Sequence, residues 1–397
     1  MAGTFYSAKQ GYYAKQNRTA MNHSNQQSIG QEPAAGQAPV LSPAAQPVSG
    51  PLTREELQLA ARNHSLPLEA LRRDVTPPGL HYVLTHFDIP DLDASSWHLR
   101  IGGAVERALE LGMAALRRDP AITVPVTLEC AGNGRSLLEP RPLSQPWVLE
   151  AVGTAHWTGV PLAYLLGKAG VLPDAVEVVF TGADAGVQGG VPQQYARSLP
   201  IREALRPDVV LAYKMNGTDL PPQHGYPLRL VVPGWYGMAS VKWLQSIDVV
   251  RAPFTGFQQQ SAYRYQSSAD DAGRPVMRIR VRSLMVPPGV PDFFTRQRFL
   301  RPGPVMLEGR AWSGEGAVTA VEVGIDGTWL PAHLDKPSGG FAWRRWSLPW
   351  VADPGEHVLA CRATDVTGAT QPLEQNWNYQ GMGNNMVQRV SVTVESN

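Results

Sequence analysis

From about residue 275 onward the chain offers no helical period of useful length, only short alternating segments separated by turn dipeptides. That leaves paired strands as the way to build a core there. Met277-Arg-Ile-Arg-Val-Arg282 alternates apolar and basic residues, as a half-buried strand does. Further strand-like segments fall at 304–312, 317–325, 341–349, 356–364 and 387–395, divided by Asp326-Gly327, Pro354-Gly355 and Thr367-Gly368. Strands of this length and spacing predict an antiparallel β-sandwich over residues 271–397.

Residues 51–270 read differently. Strand-like runs at 122–128, 176–181, 208–214, 227–232 and 241–250 are interspersed with helix-like runs near 159–171 and 199–205. This mixture predicts an α+β or α/β domain. Thr53-Arg-Glu-Glu56 is a capping box that starts a short helix through Leu57, Leu59 and Ala60. Residues 1–50, rich in Gln, Ala, Ser, Pro and Gly, read as a mobile tail. A formal charge of +1 provides no long basic stripe, so no nucleic-acid partner is expected. No run of eighteen apolar residues occurs, so no membrane span is expected. The N-terminus has neither an apolar export segment nor an Arg-Arg pair, which points to the cytoplasm if Met1 is the true start and leaves the periplasm if it is not.

Cys130 is one of two cysteines, and an apolar run, Ile122 to Leu128, delivers it to the glycine-punctuated loop Cys130-Ala-Gly-Asn-Gly-Arg135. A buried thiol and a disulfide to Cys361 are both open readings. Arg135 would favour the thiolate, which is the nucleophile and metal ligand. Two other clusters share this basic, glycine-rich character: Arg62-Asn-His64, and His224 to Lys242 with Arg229 beside an apolar strand. Cations beside so apolar a strand need an anionic partner, and a phosphate suits. No G-x-x-x-x-G-K-[ST] or G-x-G-x-x-G motif is present, so the anion should be neither a nucleoside triphosphate nor a Rossmann dinucleotide.

Taken together, Arg62-Asn-His64, Cys130-Ala-Gly-Asn133, His224-Gly-x-Pro-Leu-Arg229, Pro233-Gly-x-x-Gly-x-x-Ser-Val-Lys-Trp243 and Trp377-Asn378 resemble the motifs of the sulfite oxidase family of molybdopterin enzymes. The resemblance runs from about Arg62 to Asn385. It implies an α+β chain: a mixed α/β molybdopterin-binding domain of the sulfite oxidase type, then an immunoglobulin-like antiparallel β-sandwich. Molybdenum-molybdopterin is the implied cofactor, with Cys130 as its protein ligand. Asn63, His64, Asp184, His224, Arg229, Ser240, Val241 and Lys242 would hold the pterin and its phosphate. Arg62 and Arg135 would face a small oxyanion, Trp147 would wall the pocket, and Tyr263 (with Tyr265 as alternative) would stand near the metal.

The implied reaction is oxidation of sulfite to sulfate by oxygen-atom transfer, or, in a related enzyme, reduction of nitrate or a sulfoxide. No His-Pro-Gly-Gly segment occurs, so no haem is expected in this chain and a separate acceptor such as a c-type cytochrome is implied. A homodimer through the C-terminal domain is implied as well. Three departures stand out. Gly134 occupies the place of a second arginine, Gln380 replaces an arginine after Trp377-Asn378, and 141–146 lacks a lysine. They predict a less positive substrate pocket.

Overall fold

The computed structural model describes residues 47–396. The expected tail 1–50 lies outside the described residues except for its last four. Those four are anchored: Val48 exchanges backbone hydrogen bonds with Arg141 at 2.7 and 2.9 Å, and the Arg141 guanidinium donates to Gly50 O at 2.5 Å.

The capping box forms as expected and starts helix α1 (Arg54–Arg62), with Glu56 N–H donating to Thr53 Oγ1 and Thr53 N–H to Glu56 Oε2. The helix buries Glu56, which pairs with Arg141 at 2.8 Å, and leaves Leu57 exposed.

Beyond α1 the chain is mostly sheet. The strands are β1 (His98–Gly103), β2 (Leu109–Gly112), β3 (Ile122–Glu129), β4 (Val152–Pro161), β5 (Glu177–Gln188), β6 (Val191–Pro200), β7 (Val210–Met215), β8 (Thr218–Asp219), β9 (Arg229–Val231) and β10 (Leu244–Val250). One sheet has the order β2-β1-β10-β5-β6, and the other β3-β4-β7-β8 with β9 paired to β7. Only β1 and β10 run parallel; the other pairings are antiparallel.

The helix expected at 159–171 is confined to Leu162–Ala169, because β4 runs to Pro161. Proline ends the strand and presets the backbone angle for the first helical turn. Pro200 does the same between β6 and the turn Ile201–Ala204.

Two further sheets share a second core. One has the order Arg282–Met285, Gly303–Trp312, Arg344–Ala352, His333–Leu334. The other runs Val290–Pro291, Arg298–Leu300, Gln388–Val394, Gly355–Asp365, Val318–Ile325, Thr328–Pro331. Met285, Val323, Trp346, Leu359, Cys361 and Val392 fill the space between them. Cys361 is a free thiol in that core and Cys130 is also free, which closes the disulfide reading.

The strand expected at 277–282 does not form as one ladder; Arg278 makes a single bridge to Trp235, and continuous pairing begins only at Arg282. The backbone of 277–281 is spent on scattered partners instead. Met277 O accepts from Tyr236, Ile279 N–H donates to Gly234 O, and Ile279 O accepts from Gly314. Ile279 and Val281 are buried, so the alternation is real, but it marks a seam and not a ladder.

Candidate active site

β3 ends at Glu129 and the chain turns at Cys130, whose N–H donates to Ala151 O and whose carbonyl accepts from Asn133. The Asn133 side chain locks this turn. It donates to Glu129 Oε1 and Leu149 O and accepts from Ala151 N–H. At Gly132 a Cβ would fall 2.5 Å from the Arg135 guanidinium and push it from its place. Gly134 has φ +89°, a left-handed backbone that costs any L side chain about 1–2 kcal/mol. Its missing side chain makes room for Asn384, which donates to Gly134 O at 2.8 Å. Glycine at this position is therefore a feature of the turn.

Beside this turn lies a partly enclosed pocket. Cys130 and Tyr263 line it, with Asp184, His224, Arg229, Ser240 and Lys242. The β9 to β10 segment supplies three of these, Arg229, Ser240 and Lys242. Arg229 opens β9 and donates to His224 O at 3.0 Å and Ser240 O at 3.1 Å, with its guanidinium 4.7 Å from the Trp157 ring. Lys242 donates to Leu84 O and Gln223 O, both at 3.0 Å. Ser240 Oγ accepts from Val232 N–H.

The electrostatics are those of an anion site. Burial lowers the Arg229 pKa to about 10 and that of Lys242 to about 7, with Arg229 adding to the Lys242 shift and Asp184 opposing it. Burial raises Asp184 to about 6. His224 is pushed to about 2 and His81 to about 4, both chiefly by burial. Arg135 is buried and its donors meet only neutral acceptors: Gln380 O, Gln145 O and Met382 Sδ. Buried cations held by neutral groups are costly until an anion arrives.

The Cys130 thiol is pushed up by burial, although Arg135, the Gly132 N–H and the Trp147 indole all act to lower it. The expectation that Arg135 would prevail is thus corrected: desolvation is the larger effect. The Trp147 indole N–H faces that sulfur without a hydrogen-bond acceptor of its own.

Some expected residues point elsewhere. Arg62 is exposed at the end of α1, within electrostatic reach of His86. Asn63 is buried, but its amide is committed to Leu59 O, Gln145 Oε1 and Thr85. His64 is exposed, with its backbone paired to Val83. Val241 packs into the core with its N–H on Ala239 O. Tyr265 packs on Arg280 at 4.5 Å, whereas Tyr263 faces the cavity.

Sequence reading missed His86, Tyr82, Tyr195 and Arg197. His86, Tyr82 and Tyr195 line the cavity, and His86 Nε2 lies 2.6 Å from the Tyr263 hydroxyl. Arg197 is fully buried, donates to Gln258 O and stands 5.6 Å from the Tyr263 ring. A signal for the last two exists: Gly189-Gly190 is a hairpin turn, and period two then puts Tyr195 and Arg197 on one face of β6.

The family model described as the oxidoreductase molybdopterin binding domain matches residues 86–258, and that of the Mo-co oxidoreductase dimerisation domain matches 274–395. The chain is 37% identical over 342 residues to the sulfite oxidase of Gallus gallus, covering 81% of this chain and 73% of that protein. It is 35% identical over 351 residues to a nitrate reductase [NADH] of Brassica napus, spanning 81% of this chain but only 38% of that protein. In structure it superposes on the sulfane dehydrogenase SoxCD from Paracoccus pantotrophus with a TM-score of 0.73, at 27% identity, over 92% of this chain and 96% of that one. A lone thiol beside an anion-binding cavity and these likenesses agree, and the chain belongs to the sulfite oxidase family of molybdopterin-dependent oxidoreductases.

Proposed function

We propose that this enzyme oxidises sulfite to sulfate. The observation that carries the reading is the arrangement at Cys130: a lone thiol facing an unpaired Trp147 N–H, with the Arg135 guanidinium beside it and lacking a carboxylate. A metal taken there draws its other ligands from the cofactor that brings it, since no cluster of three His, Cys, Asp or Glu side chains gathers among the described residues. The residues fit a phosphorylated pterin. Arg229, Lys242 and Ser240 would take its phosphate, and His224 and Asp184 its polar edges. His86 and Tyr82, which line the cavity, suit this better than His64, Asn63 or Val241.

Bound molybdenum supplies oxygen-atom transfer and accepts two electrons; the chain supplies orientation and charge. Sulfite and water together give sulfate, two protons and two electrons. Arg135 holds the incoming oxyanion by charge-assisted hydrogen bonds. Tyr263 presents a hydroxyl whose partner is His86, pushed to about 3 by burial and by the Lys242 and Arg62 charges, so the ring stays neutral at pH 7. Trp147 keeps water from the sulfur. The electrons pass to a separate acceptor, such as a c-type cytochrome. Residues 51–270 would form the cofactor domain and 271–397 an immunoglobulin-like domain that joins two copies.

A second reading, reduction of nitrate, draws support from the nitrate reductase likeness and from neutral Gln380. Purified, molybdenum-loaded protein should reduce ferricyanide or cytochrome c with sulfite and show little nitrate reduction with a viologen donor. The opposite ranking sinks the sulfite reading and establishes the second.

A further inference from the structure

The loop Trp377 to Asn384 leaves the C-terminal sheets and lies across the Cys130 turn. Gly383 N–H donates to Ala131 O at 2.7 Å, and Asn384 Nδ2 to Gly134 O. Within this loop Gln380 reaches both sides of the anion site. Its carbonyl accepts from Arg135 Nε at 3.2 Å. Its side-chain amide brackets Tyr263: Oε1 accepts from Arg264 N–H at 3.1 Å, while Nε2 donates to Ser261 O at 2.9 Å and Gln266 Oε1 at 2.6 Å. Tyr263 itself has φ +56°. A bulky residue keeps that left-handed backbone only where its surroundings over-determine it.

We propose that Gln380 is a positioning residue: its carbonyl aims the Arg135 guanidinium and its amide fixes the turn that presents the Tyr263 hydroxyl. A residue of the C-terminal region thereby sets the separation of the two groups that face the substrate. The position that the sequence marked as a lost cation serves as a clamp. This rests on reading Arg135 and Tyr263 as substrate-facing. An arginine there could not do the same work, because it has no acceptor for the Arg264 N–H.

The two contacts can be separated, since only one uses the side chain. Gln380→Met keeps length and volume, leaves the carbonyl on Arg135 and removes all three amide bonds. In the full chain, cofactor-loaded and cofactor-free, amide hydrogen exchange at 262–266 should rise about tenfold, with Arg264 most affected. Exchange over 122–129 should not change. In the loaded enzyme kcat for sulfite should fall about tenfold with less than a twofold change in KM, because Arg135 keeps its geometry. Unchanged exchange at Arg264 overturns the proposal. So does faster exchange with kcat intact, or a loss of protection spread evenly over 122–129. If wild-type protein does not turn over sulfite, the functional reading has failed by itself. The clamp is then judged on exchange, together with sulfate affinity read by isothermal titration calorimetry, which Gln380→Met should leave within twofold. A larger change in that affinity overturns it.

Discussion

At Arg135 a guanidinium is 5% exposed among a thioether and two carbonyls, with no carboxylate to neutralise it. Such a group costs folding free energy that a bound oxyanion repays. Arg135→Met should therefore act on binding far more than on folding. Losing a charge-assisted hydrogen bond is worth about 1.5–3 kcal/mol, so KM for sulfite should rise roughly tenfold to a hundredfold. In the cofactor-free protein, removal of the unpaired charge offsets the two carbonyls left without a donor. Its melting temperature should stay within about 3 °C of wild type. Steady-state kinetics and calorimetry on the one variant check both halves; an unchanged KM removes Arg135 from the substrate site. Arg197 presents a similar case, with Nε unpartnered behind the Tyr263 ring.

Strand β3 carries Cys130 one residue past its end, so whatever fixes Glu129 fixes the sulfur. Glu129 is 1% exposed. It accepts from Arg282 Nη1 at 2.7 Å and Asn133 Nδ2 at 3.0 Å through Oε1, and from Trp312 Nε1 at 2.8 Å through Oε2. Arg282 is equally buried, with Nε and Nη2 unpartnered. Removing one charge strands the other, at a cost of about 3–5 kcal/mol. Glu129→Gln should lose about that much in urea unfolding, and adding Arg282→Met should restore part of it. A single variant within ~1 kcal/mol of wild type would falsify this brace.

Such elements were unevenly legible in the sequence. Gly303–Trp312, Val318–Ile325 and Gly355–Asp365 were readable because each alternates against one core and is bounded by a turn. Residues 277–281 alternate equally well but their backbone-to-backbone bonds go to two separate segments, at 234–236 and at Gly314, and periodicity does not reveal which partner a backbone will find. In the site, Cys130 and the His224–Lys242 group were legible because their residues are contiguous. His86 was not, since it is a single residue brought in by pairing between separate segments, while Arg197 becomes readable only once the hairpin at Gly189-Gly190 is recognised. Arg62-Asn63-His64 drew the eye as a contiguous motif. Yet Asn63 caps α1, and the pairing of His64 with Val83 carries His86, three residues farther on, to the cavity.

Over the whole molecule, the cavity makes the cofactor-free chain sensitive to acid. His81, His86 and His224 are pushed to about 4, 3 and 2, each mainly by burial. All three are lowered below the ordinary value of 6.5, so between about pH 6 and 4 the unfolded chain binds three protons on them that the folded chain refuses. Asp184, raised to about 6, already holds one proton in the folded state over that range. Three less one leaves two, and stability must fall with falling pH by up to about 2.7 kcal/mol per unit. Water in the cavity and the half-buried position of His86 make this an upper bound. Lys242, lowered to about 7, acts in the same direction at higher pH, where stability rises between about 7 and 10.5 as the folded chain gives up a proton the unfolded chain retains. A bound phosphate abolishes that second slope by holding Lys242 charged in the folded chain as it is in the unfolded one, while the buried histidines keep the first. Urea unfolding of cofactor-free and loaded protein from pH 4.5 to 9 should therefore give parallel curves in acid that separate above pH 7, the loaded form having lost its rise. Curves that stay parallel throughout would place the phosphate away from Lys242.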